Sequence, residues 1–326
     1  MKNILITGGA GYIGSHVVEA FLNKNFNVIV VDNLSTGYRK LVNNKAVFFK
    51  GDINQFKFIR GIILKNNIDT IVHLAAKILV EESEKKPKIY YKNNSQGTLN
   101  LLRACKNTTV KIFCFSSTAA VYGNKVKMAK ESSKISPKNV YGKTKVKAEN
   151  YVKSLFKNKN FCILRYFNVV GATPEKNIGQ IKKTKHIFKK FPSTVIKKKP
   201  IFYINGNDYK TTDGTCVRDY IHVIDLADLH LKILLKVDNT NKSIILNCGY
   251  GKGFSVKEVA ERFKKITKKN IKIQYKDRRL GDMEEIIADV TKLNSYLKWR
   301  PKFNDLDKII INCIEWEKKL KKIINY

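Results

Sequence analysis

A group of spaced glycines after the first apolar segment constrains the fold more than any other feature. Residues 4–6 are apolar, and Gly8, Gly11 and Gly14 then form G-x-x-G-x-x-G ahead of an amphipathic segment. This order predicts a strand, a tight turn and a helix. Glycine has no Cβ, so the main chain can approach a diphosphate that lies at the N-terminus of the helix. The pattern therefore predicts a dinucleotide site, with an ordinary structural turn as the alternative.

An acidic residue about 20 positions further on supports the dinucleotide interpretation. A second apolar segment, residues 28–31, ends at Asp32. A carboxylate at the end of the second strand can accept hydrogen bonds from both ribose hydroxyls and would repel a 2′-phosphate. The position of Asp32 therefore favours NAD over NADP.

Strand and helix patterns continue to alternate along the first half of the chain. Short apolar segments at 46–50, 70–74 and 111–115 read as strands, and the periodic segment 90–106 reads as a helix. This alternation is typical of a parallel sheet covered by helices on both faces. Ligands of such sheets bind at the carboxyl ends of the strands. We therefore expect the functional residues to follow the strands directly.

Composition narrows the class of protein. The 326 residues are 43% hydrophobic, which is enough for a large folded core, and no apolar run approaches the roughly 20 residues of a membrane span. Because the first strand starts directly after Lys2, no signal peptide is expected, and we predict a cytoplasmic protein. The six cysteines are scattered, so we expect buried free thiols and neither disulfides nor a metal site.

The chain carries a net charge of +36, from 63 basic and 27 acidic residues. Such a charge ordinarily suggests a nucleic-acid or anionic-membrane partner. Here the lysines are spread along the whole chain, with the densest stretch at 182–199, and no nucleic-acid motif accompanies them. We interpret the charge as compositional drift and do not expect nucleic acid as a partner.

A candidate catalytic group follows the strand at 111–115. Three hydroxyl residues, Ser116, Ser117 and Thr118, come directly after it, and Tyr141 and Lys145 share one face of a later predicted helix. Chance alone gives about three tyrosines with a basic residue four positions on, because 63 of 326 residues are basic and there are 15 tyrosines. Only Tyr141 starts a helix downstream of a hydroxyl cluster, so its context supports a catalytic role.

Together, these motifs resemble the extended short-chain dehydrogenase/reductase family. They are T-G-G-A-G-Y-I-G-S-H at 7–16, S-S-T-x-x-x-Y-G at 116–123, Y-x-x-x-K at 141–145 and R-Y-F-N at 165–168. Further segments are similar to the UDP-glucose 4-epimerases within that family: G-N-D-Y at 206–209, D-G-T-x-V-R-D-Y-I-H-V at 213–223, R-R-L-G-D at 278–282 and W-R-P at 299–301. The similarity covers nearly the whole chain.

The resemblance implies roles for individual residues. Tyr141 would be the catalytic base, Lys145 its electrostatic partner and Thr118 the hydroxyl that bridges substrate and tyrosine. The implied substrate residues are Thr118, Tyr141, Asn168, Arg218 and Arg279, the arginines binding the diphosphate. The implied NAD residues are Gly8, Gly11, Tyr12, Ile13, Gly14, Asp32, Asn33, Asp52, Ile53, Leu74, Ala75, Ala76, Asn93, Tyr141, Lys145 and Phe167, although Asn93 could equally be a solvated helix residue.

The resemblance also implies an architecture. It is a Rossmann-type doubly wound parallel sheet, residues 1–168, that binds NAD, followed by a smaller α/β domain, residues 169–326, that binds the UDP-sugar. The segment 220–237 would cross back to the sheet. A homodimer would form through the helices that contain Tyr90 and Tyr141.

The implied reaction interconverts UDP-glucose and UDP-galactose through transient C4 oxidation by tightly bound NAD, a 4-ketosugar and hydride return to the opposite face. A free phenol has a pKa of about 10, so Tyr141 needs roughly 4 kcal/mol of help to ionise near pH 7. One ammonium group about 5 Å away would supply about 3 kcal/mol at an effective dielectric constant of ~20. We therefore expect Lys145 to supply most of that help.

Three departures from the family pattern bear on substrate choice. After the fourth strand, relatives often carry a lysine that follows Gly-Leu, whereas this chain reads Ala75-Ala76-Lys77-Ile78. We therefore do not assign the role of that lysine to Lys77. Asn205 stands where a phenylalanine often lies against the uracil. Ile286 occupies a position that is small in relatives that accept N-acetylated sugars, so we expect glucose and galactose nucleotides to be preferred.

Other functions remain open from the sequence. A UDP-N-acetylglucosamine 4-epimerase or another NAD-dependent nucleotide-sugar enzyme would use the same motifs. A dehydratase is disfavoured because Ala119 and Ala120 stand where those relatives carry an acid pair, and an NADP-dependent reductase is disfavoured by Asp32. An NAD sensor and a nucleic-acid-binding protein are the non-enzyme alternatives.

Overall fold

The structure is a computed structural model and describes residues 2–175, 177–182, 184, 186–196, 200–279 and 281–324. Its strands are β1 (Asn3–Thr7), β2 (Asn27–Asp32), β3 (Val47–Lys50), β4 (Thr70–His73), β5 (Ile112–Thr118), β6 (Met128–Ala129), β7 (Asn160–Tyr166), β8 (Asn168–Val170), β9 (Ile201–Asn205), β10 (Val217–His222), β11 (Ile244–Cys248), β12 (Gly253–Ser255), β13 (Lys272–Lys276) and β14 (Glu285–Ala288). Its α-helices are α1 (Tyr12–Leu22), α2 (Phe56–Lys65), α3 (Val80–Lys85), α4 (Pro87–Tyr90), α5 (Gly97–Ala104), α6 (Val140–Leu155), α7 (Ile187–Val195), α8 (Val223–Thr240), α9 (Val256–Thr267), α10 (Thr291–Leu297) and α11 (Leu306–Ile324). Several lysines of the basic stretch 182–199 and Leu280 of the motif at 278–282 lie outside the described residues.

The central layer is a seven-stranded parallel sheet with the order β11-β7-β5-β4-β1-β2-β3. Ile4, Leu5 and Ile6 of its central strand are fully buried, as expected for a strand with helices on both faces. The chain runs outward to β3 on one side of β1 and returns through β4 to the other side. This reversal opens a crevice at the carboxyl ends of β1 and β4, where ligands of such sheets bind. The predicted Rossmann-type doubly wound sheet is confirmed.

Two apolar clusters cover the two faces of this sheet. One cluster contains Val17 of α1 and Leu234 of α8, and these two helices pack against each other. The other contains residues of α2, α5 and α6, such as Ile59, Leu101 and Val152. The helix that carries the candidate catalytic pair is therefore fixed to the sheet by a continuous core.

The chain returns to the sheet over a longer segment than the sequence suggests. The segment predicted to cross back, 220–237, coincides largely with α8. The structure continues it into β11, which pairs in parallel with β7 from Ile244 to Cys248 and adds the seventh strand. The short polar run at 238–243 between the two elements hides this continuity in the sequence.

The remaining elements form a smaller α/β region around the mouth of the crevice. Strand β10 pairs with β8, β12 and β14, and β14 pairs with β6. A separate parallel pair, β9 and β13, lies beside α7, which in turn packs against α9. Phe191 and Phe263 stack with ring centroids 4.4 Å apart in the core of this region. The predicted smaller α/β region is therefore present.

The helix predicted over 90–106 is interrupted. It consists of α4, a π-helical turn at Tyr91–Gln96, and α5. The π turn contains Asn93 and Asn94, and only Asn94 is fully buried. Such turns occur frequently at functional sites.

Two expectations from composition concern the thiols and the membrane. All six cysteines are free and buried, as predicted. Among the described residues, no helix is both long and apolar enough to cross a membrane.

Candidate active site

The glycine turn after β1 is closed so tightly that side chains would not fit. Gly8 has φ of +76°, a conformation that favours glycine, and a Cβ built on it would lie 2.6 Å from the main-chain nitrogen of Ala75. A Cβ on Gly14 would lie 2.1 Å from the carbonyl oxygen of Gly8. The two glycines thus bring the start of α1 against the turn and the loop after β4. Leu74 and Ala75 of that loop border the turn directly, and Ala76 follows them in the chain.

The N-terminus of α1 is suited to an anion. Gly11 precedes the helix without a side-chain cap, and the first turn contains no acidic residue. The first main-chain N–H groups of a helix have no partner within it, so those at Tyr12 and Ile13 are placed to receive phosphate oxygens. The hydroxyl of Tyr12 donates to the carbonyl of Gly171, 2.6 Å away. Tyr12 is therefore placed to bind a diphosphate through its main-chain N–H and not through its side chain.

The ends of β2 and β3 meet beside this turn. The carboxylate of Asp32 is buried and accepts N–H groups of Ala10 at 3.0 Å and Leu34 at 2.8 Å. The amide of Asn33 donates to Asp52 over 2.7 Å. Each oxygen of Asp32 keeps a further lone pair for a ribose hydroxyl. The glycine turn, the free helix end and this carboxylate fit the diphosphate and ribose of NAD.

Ile53 and Asn93 lie further along the same edge. Ile53 is buried against the start of α5, where a Cβ on Gly97 would meet it at 2.6 Å. The side chain of Asn93 donates to Asn94. Asn94 in turn bonds both the N–H and the carbonyl of Lys77, and so fixes the loop after β4. The sequence singled out Asn93 and missed this structural role of its neighbour.

The catalytic helix α6 begins at a well-satisfied N-terminus. The Asn139 side chain accepts the N–H of Gly142 at 2.7 Å. Two side chains of α3 accept the preceding amides: Glu84 from Val140 at 2.7 Å and Ser83 from Tyr141 at 3.1 Å. Because all three bonds lie at the first turn, they fix the backbone of Tyr141. The contribution of α3 was not predicted, since its residues lie more than 50 positions away.

Tyr141, Lys145 and Thr118 converge at the carboxyl end of β5. The hydroxyl of Tyr141 is hydrogen-bonded to that of Thr118. The amine of Lys145 donates to the carbonyl of Ser116 at 2.6 Å and lies 4.7 Å from the ring centroid of Phe115. The hydroxyl cluster and the helical pair predicted from the sequence therefore form one constellation.

Burial works against the ionised forms of this pair. It raises the pKa of Tyr141 to about 12, opposed by the hydrogen bond from Thr118. It also lowers the pKa of Lys145 to about 7, opposed by the negative charge of Glu149. The protein alone therefore keeps Tyr141 as a neutral phenol at neutral pH. A fully charged ammonium in a polar medium would stabilise the phenolate by about 3 kcal/mol, but the burial of Lys145 disfavours its charged form and reduces this contribution.

Two arginines lie on the opposite side of the crevice. Arg218 donates to the carbonyls of Val217 at 2.9 Å and Met283 at 2.5 Å. Arg279 donates to the side chain of Asn205 at 3.0 Å, and its Nε lies 3.9 Å from a carboxylate oxygen of Glu81. The guanidinium groups are thus oriented by partners that come from several elements.

His186 lies within electrostatic range of both arginines. Its pKa is lowered to about 4 by burial and by the positive charges of Arg279 and Arg218. Its ring also accepts the N–H of Phe188 at the start of α7. The site combines two guanidinium groups, an imidazole and a helix N-terminus, which suits a diphosphate. His186 lies in the lysine-rich segment that lacks a recognisable substrate motif, so sequence reasoning missed it.

Phe167 and Ile286 form the apolar floor between the two sides. Both are buried and belong to one cluster with Ala119 and Tyr122. Ile286 is paired with Arg218 in the register of β14 and β10. Asn168 follows Phe167 and donates to the carbonyl of Asp219 at 3.2 Å. The predicted nicotinamide, sugar and diphosphate residues are therefore contiguous.

A family model decides the membership of the chain. The model of the NAD dependent epimerase/dehydratase family matches residues 4–249. This chain belongs to the NAD-dependent epimerase/dehydratase family.

Relatives within the family match over nearly full length. A UDP-glucose 4-epimerase of Azospirillum brasilense is 37% identical over 325 residues, which are 98% of this chain and 93% of the relative. A UDP-glucose 4-epimerase of Lactobacillus helveticus is 40% identical over 323 residues, 98% of each chain. Among solved structures, the UDP-glucose-4-epimerase of Stenotrophomonas maltophila with bound NAD and formylated UDP-arabinopyranose has a TM-score of 0.94 at 31% identity, covering 99% of this chain and 100% of that one.

In this member of the NAD-dependent epimerase/dehydratase family, some residues of the site can be recognised from the sequence and others cannot. The glycine turn, Asp32 and the Tyr141–Lys145 pair are short local motifs, and the structure places them as the sequence predicts. His186, Ser83 and Glu84 join the site through tertiary contacts. For Ser83 and Glu84, the only signal in the sequence is their position on a short helix after β4.

Proposed function

We propose that this chain is an enzyme that interconverts UDP-glucose and UDP-galactose with tightly bound NAD. The observation that carries the proposal is the convergence of Thr118, Tyr141 and Lys145 in the crevice that also contains the glycine turn. In this proposal, the base, its electrostatic partner and the nucleotide-binding turn lie at one edge of the sheet. The relatives named UDP-glucose 4-epimerase support the same substrate class.

We assign NAD to the crevice between the glycine turn and the end of β5. Bound NAD supplies a reversible acceptor and donor of hydride at C4 of the sugar. The N-terminus of α1 would hold its diphosphate and Asp32 its ribose, and Phe167 would pack beside the nicotinamide. The full set proposed to hold NAD is Gly8, Gly11, Tyr12, Ile13, Gly14, Asp32, Asn33, Asp52, Ile53, Leu74, Ala75, Ala76, Asn93, Tyr141, Lys145 and Phe167.

The chain's own residues move the proton and orient the sugar. Tyr141 takes the proton of the C4 hydroxyl as the base and returns it as the acid, while Thr118 holds both hydroxyls in line. Lys145 stabilises the phenolate by its charge. Because burial raises the pKa of Tyr141 to about 12, the phenolate depends on positive charge in the site. Lys145 supplies part of this charge, and the oxidised ring would supply the rest when NAD is bound.

Inversion at C4 requires the sugar to present each of its faces in turn. This is possible if the nucleotide is held firmly and the sugar loosely. We propose that Arg218, Arg279 and His186, which lie in one electrostatic environment, would hold the diphosphate firmly. Asn168, whose amide donates to the carbonyl of Asp219, would contact the sugar. We propose that residues 1–168, with α8 and β11, bind NAD and that the remaining C-terminal residues bind the UDP-sugar.

The floor of the sugar site favours hexoses without an N-acetyl group. Ile286 is only 1% exposed and is packed against the cluster that contains Phe167. An acetamide would have to displace this branched side chain, at a cost typical of overpacking. We therefore expect faster turnover of UDP-galactose than of UDP-N-acetylglucosamine. The reverse order would contradict this assignment.

We further propose a cytoplasmic homodimer. Ile89 and Tyr91, on the segment between α3 and α5, are 47% and 37% exposed and lie on the face expected to pair between subunits. Unpaired thiols at all six cysteines suit a reducing compartment. Sedimentation of the purified protein at several concentrations tests the dimer.

The decisive experiment needs no added cofactor. Purified protein is incubated with UDP-galactose alone, and UDP-glucose is sought by chromatography. We expect conversion to an equilibrium mixture, and NAD in the supernatant after the protein is denatured. Conversion that requires added NADP, or the absence of conversion in protein that demonstrably contains NAD, would contradict the proposed function.

A further inference from the structure

The catalytic face of α6 carries a third residue. Tyr141, Lys145 and Glu149 are spaced by four positions, and each contacts the same strand, β5. Tyr141 bonds Thr118, and Lys145 bonds the carbonyl of Ser116. Glu149 accepts the hydroxyl of Ser117 at 2.5 Å. The three hydroxyl residues at the end of β5 are thus matched to three successive turns of the helix.

Glu149 is held in place by a buried ion pair. The guanidinium of Arg165, on β7, donates to both oxygens of the carboxylate, at 2.9 and 2.8 Å. The two side chains are only 1% and 2% exposed. A bidentate pair of this kind fixes the position of both groups, and burial prevents screening by solvent.

The ion pair is itself anchored to the smaller region. Arg165 donates to the hydroxyl of Tyr122 at 2.9 Å, which donates to Asn247 at 2.6 Å. Asn247 donates to the carbonyl of Ala129 on β6. The carboxylate therefore has a fixed location relative to α6, β5, β6 and β11.

Among the described residues, the charge that acts on Lys145 is that of Glu149, on the same helix. Tyr141 on α6 is a neutral phenol, and His73 on β4 is a titratable group that lies within range of the charge of Lys145. Burial and the charge of Lys145 lower the pKa of His73 to about 3, so this ring is neutral. Glu149 is the charge that raises the pKa of Lys145 against burial. Around Glu149 itself lie Arg165 and, 3.6 Å from it at the surface, Lys153.

We propose that Glu149 is a positioning residue for the reaction: held by Arg165 and Ser117, its carboxylate keeps the buried amine of Lys145 protonated and so supports the ionised form of Tyr141. The inference rests on the proposed function for its kinetic readout. Glu149 touches neither substrate nor NAD in this role. It acts through Lys145.

The first test is Glu149→Gln in the NAD-loaded enzyme. Loss of the carboxylate lowers the pH at which Lys145 loses its proton, so the basic limb of the kcat profile with UDP-galactose should move down by about one pH unit. Above that limb kcat should fall about tenfold, with a much smaller change in KM. A purely structural role would lower kcat equally at all pH values and leave the limb in place.

A second variant guards against misfolding. Glu149→Gln alone leaves Arg165 with a buried unpaired charge, which is strongly destabilising. Glu149→Gln combined with Arg165→Met removes both charges, and we expect it to fold and to show a movement of the limb in the same direction, because Glu149 is the member of the pair that acts on Lys145. Glu258→Gln, which removes a surface carboxylate paired with Arg262, should leave the profile unchanged.

A direct spectroscopic titration separates the two proposals. The phenolate absorbance of Tyr141 is measured against pH in each NAD-loaded protein, with Tyr141→Phe as the reference. We expect its titration to move up by about one pH unit in the double variant. Wild-type protein that does not convert UDP-galactose contradicts the proposed function. An unchanged limb and an unchanged phenolate titration in the double variant overturn the role of Glu149 alone.

Discussion

The two sides of the crevice are built in different ways. The wall proposed to hold NAD, here called the cofactor wall, consists of the turn from Gly8 to Gly14 and Asp32, and it presents main-chain groups and one carboxylate at the ends of adjacent parallel strands. The wall proposed to hold the UDP-sugar, here called the substrate wall, consists of Arg218, Arg279 and His186 and presents side chains. Each of these is oriented by partners from other elements, such as Asn205 and Glu81 for Arg279.

The difference shows where the chain can vary. A main-chain cradle depends on conformation, so a Cβ at Gly8 or Gly14 destroys it, whereas changes in surrounding side chains leave it intact. In a site made of side chains, the residues that support those side chains can be replaced by others. Here Asn205 accepts a hydrogen bond from Arg279 and so supports one of these side chains. The support of the substrate wall can therefore change more readily than the conformation of the cofactor wall.

The largest expected effect comes from Tyr141→Phe, which belongs to neither wall. We expect kcat to fall by about 10²–10⁴ because the acid–base group is lost. NAD should still copurify, because the glycine turn and Asp32, which we propose as its binding residues, are unchanged in this variant. Turnover of UDP-galactose and NAD content of the denatured protein are the measurements.

Tyr151→Phe is the matched control for this variant. Tyr151 lies on the same helix but packs in the apolar cluster under α2 and α5. We expect near-normal turnover from it. Full activity in Tyr141→Phe would contradict the proposed chemistry itself.

Gly14→Ala should break the cofactor wall and spare the substrate wall. Its Cβ would lie 2.1 Å from a main-chain oxygen that cannot move without opening the turn. We expect loss of bound NAD and a decrease of about 1–3 kcal/mol in the free energy of unfolding. NAD content and thermal unfolding are the measurements.

Gly61→Ala is the control for this variant, and we expect it to stabilise the protein and to retain NAD. A Cβ at Gly61, on α2, meets nothing within 4 Å. Because alanine favours the helix, the free energy of unfolding should rise by about 0.5–1 kcal/mol, with NAD retained. If Gly14→Ala behaved like Gly61→Ala, the turn would not be the cradle.

The same contrast explains what the sequence could predict. The fold and the cofactor wall depend on periodicity and on short glycine and carboxylate motifs, and Tyr141 and Lys145 are four positions apart on one helix. These local signals are sufficient to predict the parallel sheet and the cofactor wall. The seventh strand, β11, was missed because its five residues carry no motif and its pairing partner, β7, is remote in sequence.

The electrostatics of the site could not be predicted from spacing. Spacing gives the distance between Tyr141 and Lys145, but not the burial that raises one pKa and lowers the other. His186 and Glu81 precede Arg279 by about 90 and 200 positions in the sequence. Their roles depend on how these distant segments pack together in the fold. Such contacts leave no periodic trace in a single sequence.

Arg218→Lys tests the substrate wall. Lysine keeps the charge but loses the two-pronged geometry that matches phosphate oxygens. We expect KM for UDP-galactose to rise about tenfold, with kcat within a few-fold of wild type and NAD retained. Kinetics at fixed salt concentration provide the measurement.

Arg262→Lys is the control for that substitution. Arg262 is paired with Glu258 and Asp307 at the surface, far from the crevice in its contacts. It should leave KM unchanged. A large fall in kcat with unchanged KM in Arg218→Lys would mean that Arg218 acts on the chemistry and not on binding.

Glu81→Gln has the smallest expected effect and examines how the substrate wall is supported. The carboxylate of Glu81 lies 3.9 Å from Nε of Arg279, and the two side chains are 37% and 30% exposed. A partly exposed pair contributes little to stability, but its negative charge opposes the binding of a diphosphate at the same guanidinium. We therefore expect KM for UDP-galactose to fall about two- to fivefold at low salt and to converge with wild type at high salt, where the charge is screened. Glu261→Gln, which removes a surface carboxylate beside Lys264, should change KM at neither salt concentration. A rise in KM in Glu81→Gln would instead mean that Glu81 orients Arg279 for the substrate, and the substrate wall would then depend on an acidic support that the cofactor wall does not need.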